Sequence, residues 1–545
     1  MDSAGDLDRI SALPDALLHR ILAAVGDAAA VSHTAVLSKR WRRAWMQADR
    51  LLLVDRKGIR PGRFADFVDW VFAQRGDAEL GSLHITHAYG YRAAFIKQER
   101  VNQWLSYAMQ CVVKSLDIWV PFVATIRPND EPAVKMPGHG RMSCVKLQLG
   151  YYKLQLPVAA TAKYEALTEL TISSTTFDEE EEEHGGVRTL GDFVSTCCPR
   201  LRKLEICCCD GLRQLVLRTE ALQELILYFV DDLETLDVAA PNLRVLKIIC
   251  STEGSVVTVC SKKLEDVAVR CLRDVTLDIR YLTNVRCLGP IDVYMHGQHV
   301  GSDSGGGMWL LENCPGAKHI KLSLKHWEAS NVTDGELVDY LTQYQDAPLA
   351  TFANVRTMEV IVTANKFPEG HLVASMSSLL LRFPHLRSLC INIDTSSNSW
   401  DSSWRWDCLC SRLDTWIDPQ KISLGSLETV KISGFMGADE DIDLVSLLFA
   451  SSNSIKSMTA SWEWTKIKTS NATTDTPATI SLKQMMAEGD NNGIETVAQK
   501  LTNIPRYSFL LDGIKGRPYF HISGNQDAHF STIFKHLYFV IRRND

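Results

Sequence analysis

From Leu201 onward the chain repeats itself. LRKLEI opens at Leu201, LQELIL at Leu222, LRVLKI at Leu243 and LEDVAV at Leu264, each 21 residues after the last, with a weaker fifth segment at Val285. The shared form is L-x-x-L-x-L, apolar at offsets 0, 3 and 5. Half-way between come LRQLVL at Leu212, LETLDV at Leu233 and, less regularly, LRDVTL at Leu272. Each unit therefore holds two short strands, and neither can enclose a core alone. Such a chain folds by stacking unit on unit, each burying its leucines against the next. A non-repetitive α/β domain would have to reach the same spacing by chance.

This is the pattern of leucine-rich repeats, whose units run from about 20 to 29 residues. Other units place a helix before the strand. Leu190, Phe193, Val194, Cys197 and Cys198 recur at helical spacing, Pro199 stops the helix, and Leu201 opens the strand. Pro315 precedes AKHIKL and Pro384 precedes LRSLCI in the same way, and Pro241 stands two residues before Leu243. Upstream, the stripe Phe64, Phe67, Val68, Val71, Phe72 leads into LGSLHI at 80–85. The stripe Val101, Trp104, Leu105, Ala108, Met109, Val112 leads into VKSLDI at 113–118. The expected fold is α/β, a horseshoe-shaped solenoid over residues 51–423.

Strand alternation then sorts the side chains. With offsets 0, 3 and 5 inward, offsets 2, 4 and 6 face the concave surface, and equivalent offsets stack into columns about 4.8 Å apart. One column reads Lys203, Glu224, Val245, Asp266; another reads Cys207, Tyr228, Ile249, Arg270. The second mixes an aromatic, an aliphatic and an arginine, a composition favoured at protein interfaces. Those four residues are the candidate target-binding column.

Residues 1–50 have a different texture. Leu13, Leu17, Leu18, Ile21 and Leu22 form one apolar stripe at helical spacing, with Pro14 where a helix can begin and Asp15 in its first turn. A second helix is expected near Ala28. A third starts at Ser38, a natural N-cap, with Trp41 and Trp45 on one face. Three short helices enclose little core, so this unit should bury part of its apolar surface on something else.

LPDALLHRIL followed by VLSKRWRRAW resembles the F-box of plant-type F-box proteins. In that family a three-helix unit docks on a Skp-type adaptor, which bridges it to a cullin. The resemblance implies adaptor-facing roles for Leu13, Pro14, Leu17, Ile21, Leu22, Leu37, Ser38 and Trp41, with Trp45 in the core. Leu13, Leu17 and Trp41 would be the principal anchors. The link GDAAAVSHTA is about one residue longer than usual, which leaves the register of the second helix open. Near the other end, SLETVKISGF followed by DIDLVSLLFASS resembles the FBD module of the same proteins, over residues 424–468. Residues 469–545 would be a polar linker and a cap ending in apolar FKHLYFVI.

The rest of the chain narrows the field by what it lacks. A net charge of −7, with Lys+Arg 58 against Asp+Glu 65, gives no concentrated basic face for nucleic acid. The cluster Lys39, Arg40, Arg42, Arg43 reads as a solvated helix face. The acidic start without an apolar run behind it, and the absence of a membrane-length apolar stretch, point to the cytoplasm or nucleus. There the 15 cysteines would be reduced thiols. Their spacing shows no metal-ligand pairs, and no cofactor is expected. DEEEEEH at 178–184 reads as a solvated loop, or a dock for a basic partner, and GSDSGGG at 301–307 as a flexible loop. No hydrolase, metalloprotease or nucleotide-binding motif occurs, so a non-catalytic role is expected. The resemblance implies the substrate receptor of a Skp–cullin–F-box ubiquitin ligase. A small-molecule-dependent co-receptor, or an adaptor-bound protein acting outside a ligase, stays open beside it.

Overall fold

The computed structural model describes residues 13–34, 39–55, 63–87, 96–120, 133–150, 152–158, 162–177, 189–250, 254–271, 275–296, 299–300, 307–326, 352–363, 371–394, 422–434, 439–463, 507–511 and 536–543. They form two compact units, Met1–Asn284 and Val285–Asp545.

The first unit opens with three helices, α1 (Asp15–Val25), α2 (Ala28–His33) and α3 (Lys39–Met46). Helix-then-strand units follow: β1 (Arg50–Val54), α4 (Arg63–Arg75), β2 (Leu80–Thr86), α5 (Gln98–Cys111) and β3 (Val112–Trp119). Next come β4 (Val134–Lys135), β5 (Cys144–Gln148), β6 (Lys153–Gln155) and β7 (Glu169–Phe177). The helix expected before Leu201 is a single α-turn, α6 (Leu190–Asp192), widened into a π turn over Phe193–Cys197. Thr189 caps it, its Oγ1 accepting from the Asp192 amide at 3.0 Å.

The 21-residue units then alternate between two sheets. β8 (Lys203–Asp210), β10 (Glu224–Val230), β12 (Val245–Cys250) and β14 (Asp266–Cys271) join one; β9 (Gln214–Arg218), β11 (Thr235–Ala239), β13 (Val256–Cys260) and β15 (Thr276–Arg280) make a four-stranded second. In the first sheet β1, β2, β3, β5, β7, β8, β10, β12 and β14 lie side by side, all parallel. Parallel pairing is what a coil that always returns by the same route must give. β4 pairs with β6, and β6 with the end of β7.

Each coil is tied to the last by one carbonyl that accepts two amides. The Arg202 carbonyl takes Gln223 and Glu224, the Gln223 carbonyl takes Arg244 and Val245, and the Arg244 carbonyl takes Glu265 and Asp266, all at 2.8–3.0 Å. The expected inward leucines are inside: Leu201, Leu204, Leu222, Leu225, Leu243, Leu246 and Leu264 are all 0% exposed.

The second-sheet strands depart from the expectation in two places. β13 sits at Val256–Cys260, where no leucine segment announces it, and β15 starts at Thr276, four residues beyond Leu272. Leu272 itself lies outside the described residues. The step from β11 to β13 is still 21 residues, Thr235 opposite Val256. Gly254 holds the position of Leu212 and Leu233, and the buried Ser255 beside it donates its Oγ proton to the Leu233 carbonyl at 2.7 Å. A hydrogen bond replaces the leucine there, so a leucine count passes over the strand.

The second unit repeats the scheme with longer crossovers. Its elements are β16 (Cys287–His296), β17 (His299–Val300), α7 (Gly307–Asn313), β18 (His319–His326), β19 (Thr357–Thr363), α8 (His371–Leu381), β20 (Ser388–Asp394), β21 (Thr429–Ser433), α9 (Asp439–Ser451), β22 (Ser457–Glu463), β23 (Tyr507–Leu511) and β24 (His536–Arg543). β16, β18, β19, β20, β21 and β22 pair in parallel, and β17 lies antiparallel against the end of β16. Pro315 and Pro384 fall between helix and strand, as the punctuation implied. β24 runs antiparallel along β22 and pairs with β23 on its other side. The acidic run 178–184, residues 301–306 and residues 469–492 lie outside the described residues. Among the described residues no helix is long and apolar enough to cross a membrane.

Candidate partner-binding surfaces

The first surface is built on α1. Pro14 occupies its N-cap, and the Pro14 carbonyl accepts from the Leu17 and Leu18 amides at 2.9 and 3.1 Å. Arg40 of α3 ties down the same end, its guanidinium pairing with the Asp15 carboxylate at 2.7 Å and donating to the Leu13 carbonyl. Gly26 ends α1 with φ +67°, a left-handed turn that a side chain resists, and a Cβ there would meet Leu52 Cδ1 at 3.0 Å. The Gly26 carbonyl accepts from the Leu52 amide at 2.6 Å, which hangs the helices on β1. Asp27 Oδ1 accepts from the Ala30 amide at 2.8 Å and so caps α2.

Packing then divides the α1 stripe in two. Leu18 and Leu22 are buried at 0% and 1%, together with Ala28, Val31, Trp41, Ala44 and Trp45. Leu17, Ile21 and Val25, four residues apart, stay 40%, 43% and 48% exposed. They form a second apolar stripe turned away from the first. This changes the role expected of Leu22 and Trp41. Trp41 is only 4% exposed, so neither has surface left for a partner to cover, and both hold α1 in place instead. Pro14 is exposed and Leu13 half-buried beside the stripe, while Leu37 and Ser38 lie outside the described residues. Val25 was missed, although its place eight residues after Leu17 is the signal that would have found it.

The second surface is the solvent face of the long sheet. The columns expected from strand alternation are the ones the register makes. Lys203, Glu224, Val245 and Asp266 are direct neighbours, as are Cys207, Tyr228, Ile249 and Arg270. The latter column continues the other way through Ser173, Gln148, Trp119, Thr86 and Val54. Charges on the face pair locally, Lys203 with Glu205 at 3.0 Å and Lys247 with Asp266 at 3.2 Å, and His84 Nδ1 lies 2.9 Å from the Asp117 carboxylate. Between Val54 and Ile249 that column carries no charge, so it is the part of the face with the least hydration to lose on contact.

Burial pushes Cys207, Cys209 and Cys314 up to about 12, and Cys198 further up. Thiols held protonated in this way are poor nucleophiles and poor metal ligands. Among the described residues no group of His, Cys, Asp and Glu is arranged to hold a metal ion.

Comparison with known proteins matches residues 74–285 to a family model described as At1g61320/AtMIF1, LRR domain. The chain is 25% identical over 471 residues to the putative F-box/FBD/LRR-repeat protein At4g03220 of Arabidopsis thaliana, covering 83% of this chain and 89% of that one. It is 30% identical over 264 residues to the putative FBD-associated F-box protein At5g56390 of the same plant, covering 46% and 57%. F-box/LRR-repeat protein 25, also of Arabidopsis thaliana, is 23% identical over 252 residues, covering 44% of this chain and 85% of its own length.

Proposed function

We propose that this chain, a plant-type F-box/leucine-rich-repeat protein by its relatives, is the substrate-receptor subunit of a Skp–cullin–F-box ubiquitin ligase. The observation that carries the reading is the apolar stripe Leu17, Ile21, Val25, exposed on a helix whose neighbouring stripe is core. A small helical unit gains nothing by showing three aliphatic side chains in a row to water unless a partner covers them. Residues 1–50 then act as the F-box and bind a Skp-type adaptor, which joins the chain to a cullin. Residues 51–423 hold a target protein on the solvent face of the sheet, with the column Cys207, Tyr228, Ile249, Arg270 as part of the contact. Residues 424–468 correspond to an FBD-like module, and 469–545 to a linker and cap. The chain does no bond chemistry. It raises the effective concentration of target beside a ubiquitin-loaded enzyme, which converts a bimolecular encounter into a local one.

The test is co-purification of a Skp-type adaptor with the full chain. Leu17→Asp combined with Ile21→Asp places charges on the exposed stripe and leaves the buried one untouched. Adaptor capture should fall by at least about thirtyfold, the equivalent of roughly 2 kcal/mol for lost interface anchors. Undiminished capture by a variant that melts like the parent would overturn the reading.

A further inference from the structure

Near the ends of β7, β8 and β10 the same irregularity occurs three times. Ser174, Cys208 and Phe229 have φ of 49°, 52° and 53°, in the left-handed region that side chains rarely adopt. They stand in one row, because Ser173, Cys207 and Tyr228 are paired neighbours before them, and Thr175, Cys209 and Val230 after them. The extra residue resets the alternation, as a β-bulge does. Thr175, Cys209 and Val230 return to the interior at 0% exposure, and two successive residues point outward ahead of each. On β10 those two are Tyr228 and Phe229, and Phe229 is 56% exposed, the most exposed large apolar side chain among the described residues.

Carboxylates follow this aromatic pair at the strand ends. Asp210 ends β8, while Asp231 and Asp232 follow β10. The Gly211 amide donates to Asp232 Oδ2 at 2.7 Å, which draws the turn after β10 onto the turn after β8. Burial, and then the charges of Asp232 and Asp231, raise the Asp210 carboxyl above its ordinary range. Cys208, opposite Phe229 in the row, is raised by burial and by Asp231 and Asp210. The three carboxylates and the two rings therefore share one patch, bordered on the β6 side by Lys153, which lies across Thr176 from Asp210.

We propose that this patch docks a basic segment of the target protein, with an arginine or lysine side chain over the Tyr228 and Phe229 rings and its charge among Asp210, Asp231 and Asp232. The inference rests on the receptor reading and names the chemistry of the partner. Charge complementarity selects the occupant: a cation is attracted by the faces of aromatic rings and by the carboxylates together, whereas an acidic or purely aliphatic segment gains from one at most. The neutral column running back from Tyr228 accommodates the apolar residues flanking that cation.

Fluorescence anisotropy with the full chain tests this, using a labelled octapeptide of alternating arginine and leucine and the same peptide with glutamate for arginine. The arginine peptide should bind at least tenfold tighter, and its affinity should fall as salt is raised from 50 to 200 mM. Phe229→Asn, a residue tolerant of left-handed φ, should weaken it about fivefold or more. Asp231→Lys combined with Asp210→Lys turns the three negative charges into a net positive one, keeps the Asp232 tie to Gly211, and should reverse the preference toward the glutamate peptide, a gain that misfolding cannot imitate. Equal binding of the two peptides, or no response to either substitution, would overturn the proposal. Adaptor capture is scored on the same protein. If it is intact while the peptides are not told apart, this inference fails alone; if it is lost in the parent chain, the receptor reading fails with it.

Discussion

On α1, Leu18 and Leu22 are withdrawn from water while Leu17 and Ile21, one residue earlier in each case, keep 40% and 43% of their surface. The difference is one residue of phase on a 3.6-residue helix, and it separates folding from binding. Leu22→Ala removes buried methyl groups and should lower the stability of the first unit by about 2–5 kcal/mol. Leu17→Ala should leave the melting temperature within about a degree or two, since exposed substitutions are usually worth less than about 0.5 kcal/mol. Thermal melts of the two variants side by side decide it, and equal losses would mean that α1 is turned differently. Asp210 offers a second residue-scale outcome. Its carboxyl is raised by burial and by Asp232 and Asp231, so folding favours the protonated form. The resulting penalty is absent below the ordinary carboxylate range and grows as pH rises through the raised value. Asp210→Asn should therefore melt higher than the parent at neutral pH, with the gain vanishing as the solution is acidified toward pH 3. A gain that persists in acid would have another cause.

The elements that spacing could reveal were those whose apolar residues follow a clean period. α4 and α5 fall on the stripes beginning at Phe64 and Val101, and β8, β10, β12 and β14 fall on the leucine segments. Two elements depart from that period for a local reason, one unannounced and one shorter than expected. β13 lacks its leading leucine because Gly254 stands there and the Ser255 hydroxyl supplies the tie to Leu233. The helix before β8 shrinks to one α-turn and a π turn, where Gly191 lies so near the second sheet that a Cβ would come within 2.3 Å of the Val216 carbonyl oxygen. Apolar periodicity registers neither a hydroxyl used as a tie nor a backbone approach. The recurring left-handed residues of β7, β8 and β10 are equally silent in the sequence, because serine, cysteine and phenylalanine carry no signature of positive φ.

At the scale of the whole repeat, register depends only on the 21-residue period. Val245 pairs with Glu224, and Glu224 with Lys203. In the second sheet Val256 pairs with Thr235, and Thr235 with Gln214. Excising residues 222–242 removes one whole coil and brings Val245 opposite Lys203 and Val256 opposite Gln214, with the inward leucines still inward. The Arg202 carbonyl, which held Gln223 and Glu224, then meets Arg244 and Val245. Such a protein should fold cooperatively and keep its strand content, at some loss of melting temperature for the interface removed. Excising residues 222–231 breaks the period instead, turns core leucines outward and should give an unfolded or aggregated product. Circular dichroism and melts separate the outcomes; two equally stable proteins would show that the period does not set the register.

Sequence alone determined that this chain stacks coils, which residues of each coil go inward, and which side chains form neighbouring columns. All three follow from the period of the chain, and a parallel ladder converts period into position without reference to anything distant. The tertiary structure decided which residues of the α1 stripe remain available. Trp41 and Leu22 are interior because α1 packs against both α3 and β1, contacts between segments whose spacing in the chain has no fixed relation to them. It also decided that two aromatic rings and three carboxylates share one patch, since the bulge row that turns Phe229 outward is held by paired backbones in three successive coils.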